Sequence, residues 1–166
     1  MNIFALDKSP EVSAEMACDK HVVKMILESA QMLCTAHRVL DNADDDILYR
    51  KTHINHPSTK WVMRSAYNYS WLYRHMIALN EEFKKRFKGV DHKSVVKLKH
   101  ILRNPPKNSP LNVIGTLPTP AMPDECKVEG DVVASYRKYY IMKKQSFATW
   151  KEPSKVPSWF SESLGV

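Results

Sequence analysis

Residues 19–40 read DKHVVKMILESAQMLCTAHRVL, a run with no Gly or Pro and mostly good helix formers. Asp19 stands where a helix cap is wanted. Wound at about 3.6 residues per turn, Lys20, His21, Lys24, Glu28, Gln31, Thr35 and Arg38 fall within one arc of roughly 100°. Val22, Val23, Met25, Ile26, Leu27, Ala30, Met32, Leu33 and Cys34 cover nearly all the rest. A surface helix has the reverse balance, with the apolar stripe the narrower one. The stretch therefore predicts a central helix sunk in a core and showing only a thin polar seam.

Two readings of that seam are open. It is either the solvated side of the central helix or the lining of a cleft. Lys24 and Glu28 stand four residues apart and pair in both cases. In a cleft, partial burial would tune the two groups toward proton transfer or nucleophilic attack.

The chain's 166 residues suit one domain with a real core, and only four are glycine, which argues for helices over a turn-rich β fold. Lys and Arg outnumber Asp and Glu by 25 to 18, giving a net charge of +7. That balance fits a polyanionic partner such as DNA, RNA or a nucleotide; a mildly basic protein with no such role is the plainer alternative. Cys18, Cys34 and Cys126 form no C-x-x-C, which fits a reducing compartment and argues against a thiolate zinc site. The opening MNIFALDKSP lacks the pattern of a signal peptide, and no apolar run reaches membrane-spanning length. The expectation is a cytoplasmic protein with no membrane partner. The phosphate loop, the dinucleotide fingerprint, H-E-x-x-H and G-x-S-x-G are all absent, which disfavours ordinary nucleotide kinases, dinucleotide enzymes, zincins and α/β hydrolases.

Around the central stretch, Asn2–Leu6 reads as a short strand or an extended lead-in segment. Ser9-Pro10-Glu11 opens a short helix to Ala17. Residues 41–58 form a polar connection with an acidic patch at Asp44, Asp45 and Asp46, read as a solvated loop. It ends in His53-Ile54-Asn55-His56, an H-x-x-H that lacks a third ligand at a telling distance, so no metal is assigned. Residues 57–87 predict a second long helix, with His56 or Ser58 near its cap and Trp61, Ser65, Leu72, Met76, Leu79 and Phe83 on the core side. Arg64, Asn68, Trp71 and His75 form a second stripe, of which Arg64, Asn68 and Trp71 are expected to face the cleft of the Lys24 seam. Residues 91–103 predict a basic amphipathic helix with Val95, Val96, Leu98 and Ile101 inward. Six prolines between Asn104 and Gly130 forbid a long helix there, yet Leu111, Val113, Ile114, Leu117 and Met122 are too apolar for a free linker. An ordered loop draped over the helices follows, with Asp124 and Glu125 near its end. Residues 131–151 predict a last helix, and Trp159 and Phe160 an apolar tail folded back on the body. The fold class is thus mainly α: a compact single-domain bundle, residues 1–166, around a buried central helix with a long ordered proline-rich loop.

The blocks CDKHVVKMILESAQML, NHPSTKWVMRSAYNYSWLYRH, AMPDE, YRKYY, ATWK and VPSWF together resemble a family of small phage-encoded proteins. Some of these carry the label of the small helical pyrimidine-dimer DNA glycosylases. The resemblance implies an enzyme acting on DNA, without a cofactor, in the host cytoplasm. Known members of that enzyme class use the amine of a threonine exposed at the N-terminus. Here Asn2 follows Met1, a bulky neighbour expected to leave the initiator in place, so the amine would come from a lysine or from Met1 itself.

A DNA glycosylase or lyase needs an amine or activated water to attack the sugar carbon and a carboxylate to stabilise developing positive charge. Lys24 or Lys20 is the expected amine, Glu28 the carboxylate and His21 a proton shuttle. Trp61 or Trp71 would stack on an extruded base. Arg38, Lys60, Arg64, Asn68, Asp124, Arg137 and Lys138 are the remaining candidates for contacts with substrate, and Lys97 a further phosphate contact. Two alternatives stand beside this reading: a non-enzymatic module that binds nucleic acid or inhibits a host protein, and an enzyme acting on free nucleotides.

Overall fold

The computed structural model describes residues 1–165, which form helices, turns and extended segments with no strand among them. The helices are α1 (Pro10–Met16), α2 (Asp19–Leu40), α3 (Pro57–Arg64), α4 (Ala66–Arg86), α5 (Lys93–Leu102), α6 (Val132–Lys143) and α7 (Ser158–Ser163). α2 is the central helix the sequence predicts, packed on α3, α4 and α5, while α1 packs along α4. The core gathers Val22, Ile26, Met32 and Leu33 of α2 with Trp61, Leu72, Met76 and Leu79. No helix among the described residues is long and apolar enough to cross a membrane.

The polar seam of α2 is neither an open face nor a continuous cleft. His21, Glu28 and Thr35 are buried, whereas Lys20 and Lys24 are exposed. Other parts of the chain cover the seam from both ends. Phe4 and Tyr140 close over His21. At the far end Thr35 Oγ1 accepts the Thr52 amide, 3.2 Å away. Arg38 donates to the carbonyls of Tyr49, Ala43, Asp45 and Leu48 at 2.8–3.0 Å.

Several local expectations are corrected. The N-cap of α2 is Cys18, not Asp19. The Asp19 carboxylate instead accepts from Thr149 Oγ1 and the Lys151 amide and pairs with Arg86 at 3.1 Å. The helix expected over 57–87 is broken at Ser65, whose backbone is extended at φ −155°, ψ 142°. Its hydroxyl caps α4 through the Tyr67 amide and donates to the Val113 carbonyl, while the Ala66 amide donates to Pro110. The bonds that a continuous helix would make are thus replaced by bonds to the distant loop. The helix expected over 131–151 stops at Lys143, because the stretch after it turns to lay Trp150 against the carbonyl of Met16. In α5, Val96 is exposed and Leu102 takes the inward place.

Val23 and Leu27, expected within the buried circumference of α2, are each 40% exposed. Asn2–Leu6 is extended, and the proline-rich segment is an ordered strap. Lys107 and Asn108 bond to Asp41, Thr116 to Asn68 and Ala121 to Asn2. Phe160 is buried in the core. A fully buried Arg86 ties α4 to the first turns of the chain by donating to Ala17 and Glu15 carbonyls and pairing with Glu82 at 3.0 Å.

Candidate active site

The site is built by the first six residues. Ile3, Phe4, Ala5 and Leu6 are apolar and buried, so the chain start is drawn into the core. The Leu6 amide donates to Ser13 Oγ, which donates to the Phe4 carbonyl. Asn2 is held twice, its Nδ2 donating to Ala121 and its Oδ1 accepting from the Tyr136 hydroxyl, both at 2.8 Å. These contacts deliver the Met1 α-amine to 3.0 Å from Glu28 Oε1, with the Met1 side chain only 3% exposed. Lys24 Nζ lies 3.9 Å from the other oxygen, but its side chain is 62% exposed. Apart from these two amines, neither Glu28 oxygen has a hydrogen-bond partner among the described residues.

His56 caps α3, its Nδ1 accepting the Ser58 amide at 3.0 Å. Burial holds its pKa below the ordinary histidine range; the Met1 ammonium adds to that lowering and Glu28 opposes it. His21, two turns before Glu28, stacks on Phe4 and shares a 2.6 Å hydrogen bond with the Tyr140 hydroxyl. Burial pushes its pKa down to about 3, and the cations of Lys144, Lys24 and Lys20 push the same way. His21 is therefore a neutral ring near pH 7. The ammonium groups of Lys20 and Lys144 lie over the ring of Phe147, 4.4 and 5.8 Å from its centre.

The other candidates divide by their surroundings. Lys60, Arg64 and Lys138 are exposed. Trp61 is fully buried and donates to Thr116 Oγ1, and Asn68 is buried between the Trp61 carbonyl and the Thr116 amide. Trp71 is half-buried, donates to the Lys8 carbonyl and stacks on His75. It lines a cavity of about 340 Å³ with Lys8, Tyr67, Asn68, Arg74 and Thr116. Arg137 donates to the Leu6 carbonyl and lies over Trp159, and Arg38 is spent on the four carbonyls described above. Asp124 is exposed and pairs with Lys127. No group of three or more His, Cys, Asp or Glu side chains suited to a metal ion is present among the described residues.

The sequence reading named Glu28 but put the lysines of its own helix first, and it gave His56 a place near a helix cap, which it takes, but none in the site. A signal for the nearer amine was present in NIFAL, an apolar run directly behind the first residue that must pull it inward.

A small all-helical protein that holds a primary amine against a buried carboxylate has the equipment of an imine-forming enzyme. The family model for pyrimidine dimer DNA glycosylase matches residues 1–96, more than half of the chain, and the protein belongs to that family. No curated protein and no solved structure matches the chain.

Proposed function

We propose that the protein is a pyrimidine-dimer DNA glycosylase with an abasic-site lyase step, and that the Met1 α-amine is its nucleophile. The observation that carries the reading is the 3.0 Å approach of that amine to Glu28 inside a largely buried pocket. Lys24, at 3.9 Å and mostly in solvent, is the weaker claimant.

The amine first gives up a proton, for which Glu28 is the adjacent acceptor. Its lone pair then attacks C1′ of the damaged nucleotide. The glycosidic bond breaks, and its electron pair leaves with the base, which takes up a proton. Opening of the sugar by cleavage of the C1′–O4′ bond gives a protonated imine between Met1 and C1′, and O4′ takes up a proton. Removal of a proton from C2′ by a carboxylate then expels the 3′ phosphate by β-elimination. Glu28 is placed to stabilise the cationic stages and to accept these protons. The half-buried face of Trp71 and its cavity offer a platform for an extruded base, and exposed Lys60, Arg64, Lys97 and Lys138 offer contacts to phosphates.

Borohydride trapping on an abasic oligonucleotide tests this. A covalent adduct is expected, and peptide mass spectrometry should place it on Met1. A variant carrying one extra residue ahead of Met1, with its amine displaced, should lose the adduct. An adduct on Lys20 or Lys24 transfers the role to the lysine. No adduct and no base release, with salt-sensitive DNA binding retained, would favour the non-enzymatic module.

A further inference from the structure

We propose that the apolar tip of the proline-rich strap, Leu111 and Ile114, inserts between stacked base pairs of duplex DNA beside the lesion. The inference rests on the DNA reading above.

The tip is oddly exposed. Leu111 and Ile114 are 74% and 85% exposed, the highest values among the large aliphatic side chains of the described residues. It is also held firmly on both flanks. Before it, the Pro110 carbonyl accepts the Ala66 amide at 2.9 Å. Within it, the Val113 carbonyl accepts from Ser65 Oγ at 3.1 Å. After it, Thr116 bonds to both Asn68 and Trp61 at 3.0 Å. Gly115 permits this seating, because a Cβ there would stand 2.8 Å from Cβ of Tyr67. Two apolar side chains on an anchored backbone meet the needs of a wedge, which must enter a base stack without collapsing on itself.

Charge selects the occupant. The segments that carry and surround the tip, residues 47–80 and 92–123, contain ten Lys and Arg and no Asp or Glu. The rest of the chain holds 15 of the former and 18 of the latter. An apolar point on segments that carry only basic charge, with the adjoining carboxylates of Asp41 and Glu11 taken up by the Lys107 and Asn108 amides and by Arg74, suits a polyanion with an apolar interior, which describes a base-stacked duplex. Position agrees with this. The same strap continues to Ala121, whose carbonyl accepts from Asn2, the residue next to the proposed nucleophile. Tip and amine thus belong to one braced unit.

The test uses a duplex with 2-aminopurine beside a tetrahydrofuran abasic analogue, which cannot form an imine. The wild-type protein should raise the fluorescence several-fold by unstacking the probe. Leu111→Ser/Ile114→Ser should abolish most of that rise while its thermal melt stays close to wild type. Ile114→Phe, which keeps an apolar point, should retain the rise. Unstacking by the double variant equal to wild type would overturn the proposal. So would a wild-type dimer that the double variant dissociates, since the tip would then be a contact between copies. Trapping of wild type on single-stranded abasic DNA reports the amine chemistry alone. Its failure with unstacking intact would sink the enzymatic reading and leave the wedge standing.

Discussion

The ring of Phe4 lies flat on the imidazole of His21, with centres 4.0 Å apart and planes inclined by 12°. His21 and Glu28 are seven residues apart on one helix face, a rise of about 10.5 Å. Met1 and Phe4 are three residues apart on extended chain, about 10 Å. The two spacings match, so the chain start runs along the seam in register: Phe4 rests on His21 and Met1 reaches Glu28. Phe4→Ala should cost about 3 kcal/mol of stability and slow imine trapping beyond what the loss of folded protein explains, because the register pin is gone. Denaturant titration and trapping rates on the same sample check both effects.

Glu28 and Lys24 separate the two possible amines. Glu28→Gln should lower trapping and strand cleavage by about a hundredfold or more, as expected when a proton acceptor and charge stabiliser is lost. Lys24→Ala should stay within about threefold, since that ammonium sits mostly in solvent and contributes little. Single-turnover rates would decide this. A Lys24→Ala loss as large as the Glu28→Gln loss would move the nucleophile to the helix.

The buried histidine sets an acid limit on the fold. The pKa of His21 is lowered to about 3 in the folded chain, while unfolding returns it to the ordinary value near 6.5. The unfolded state therefore binds more protons between these values. The His21 contribution is intact above about pH 6.5 and is lost as pH falls toward 3, costing about 3 kcal/mol at pH 4. Melting temperatures across this window should fall more steeply for wild type than for His21→Gln.

Two arginines should respond in opposite ways. Arg38 grips four backbone carbonyls of the 43–49 connection, so Arg38→Ala should lower stability by about 3 kcal/mol and leave the salt dependence of DNA binding unchanged. Arg64 is exposed, and Arg64→Ala should leave the melt unchanged and reduce the slope of log K against log salt by about one. Filter binding over a salt series measures the slopes.

These two residues also show what the sequence could reveal. Both are basic residues on helices, and periodicity places each on a face without saying what comes to meet it. The central helix was legible because most of its apolar circumference has one solution, burial, with Val23 and Leu27 the exceptions. The strap was legible as ordered from its apolar content, yet what holds it is hydrogen bonding to Asp41, Ser65 and Asn68, while Leu111 and Ile114 stay in water. The Ser65 break was not, since one serine inside an amphipathic run is a weak cap signal by itself, and the distant Pro110 and Val113 carbonyls add the bonds that favour extension there. In the proposed site, Glu28 is the member that helix spacing singles out, on the seam. The Met1 amine reaches it through tertiary folding, which helix periodicity does not encode. Trp61 was expected on the core side by spacing and also as a stacking surface by residue type; the structure puts it fully inside the core.

One extended seryl unit between two helices turns what would have been a smooth cylinder into a notched beam. The notch is where a segment some forty-five residues downstream plugs in, so the joint is shaped by its plug as much as by its own sequence. Strengthening the local preference for helix at this point would then be a poor way to strengthen the molecule. It would straighten the beam, fill the notch and leave the plug without a seat.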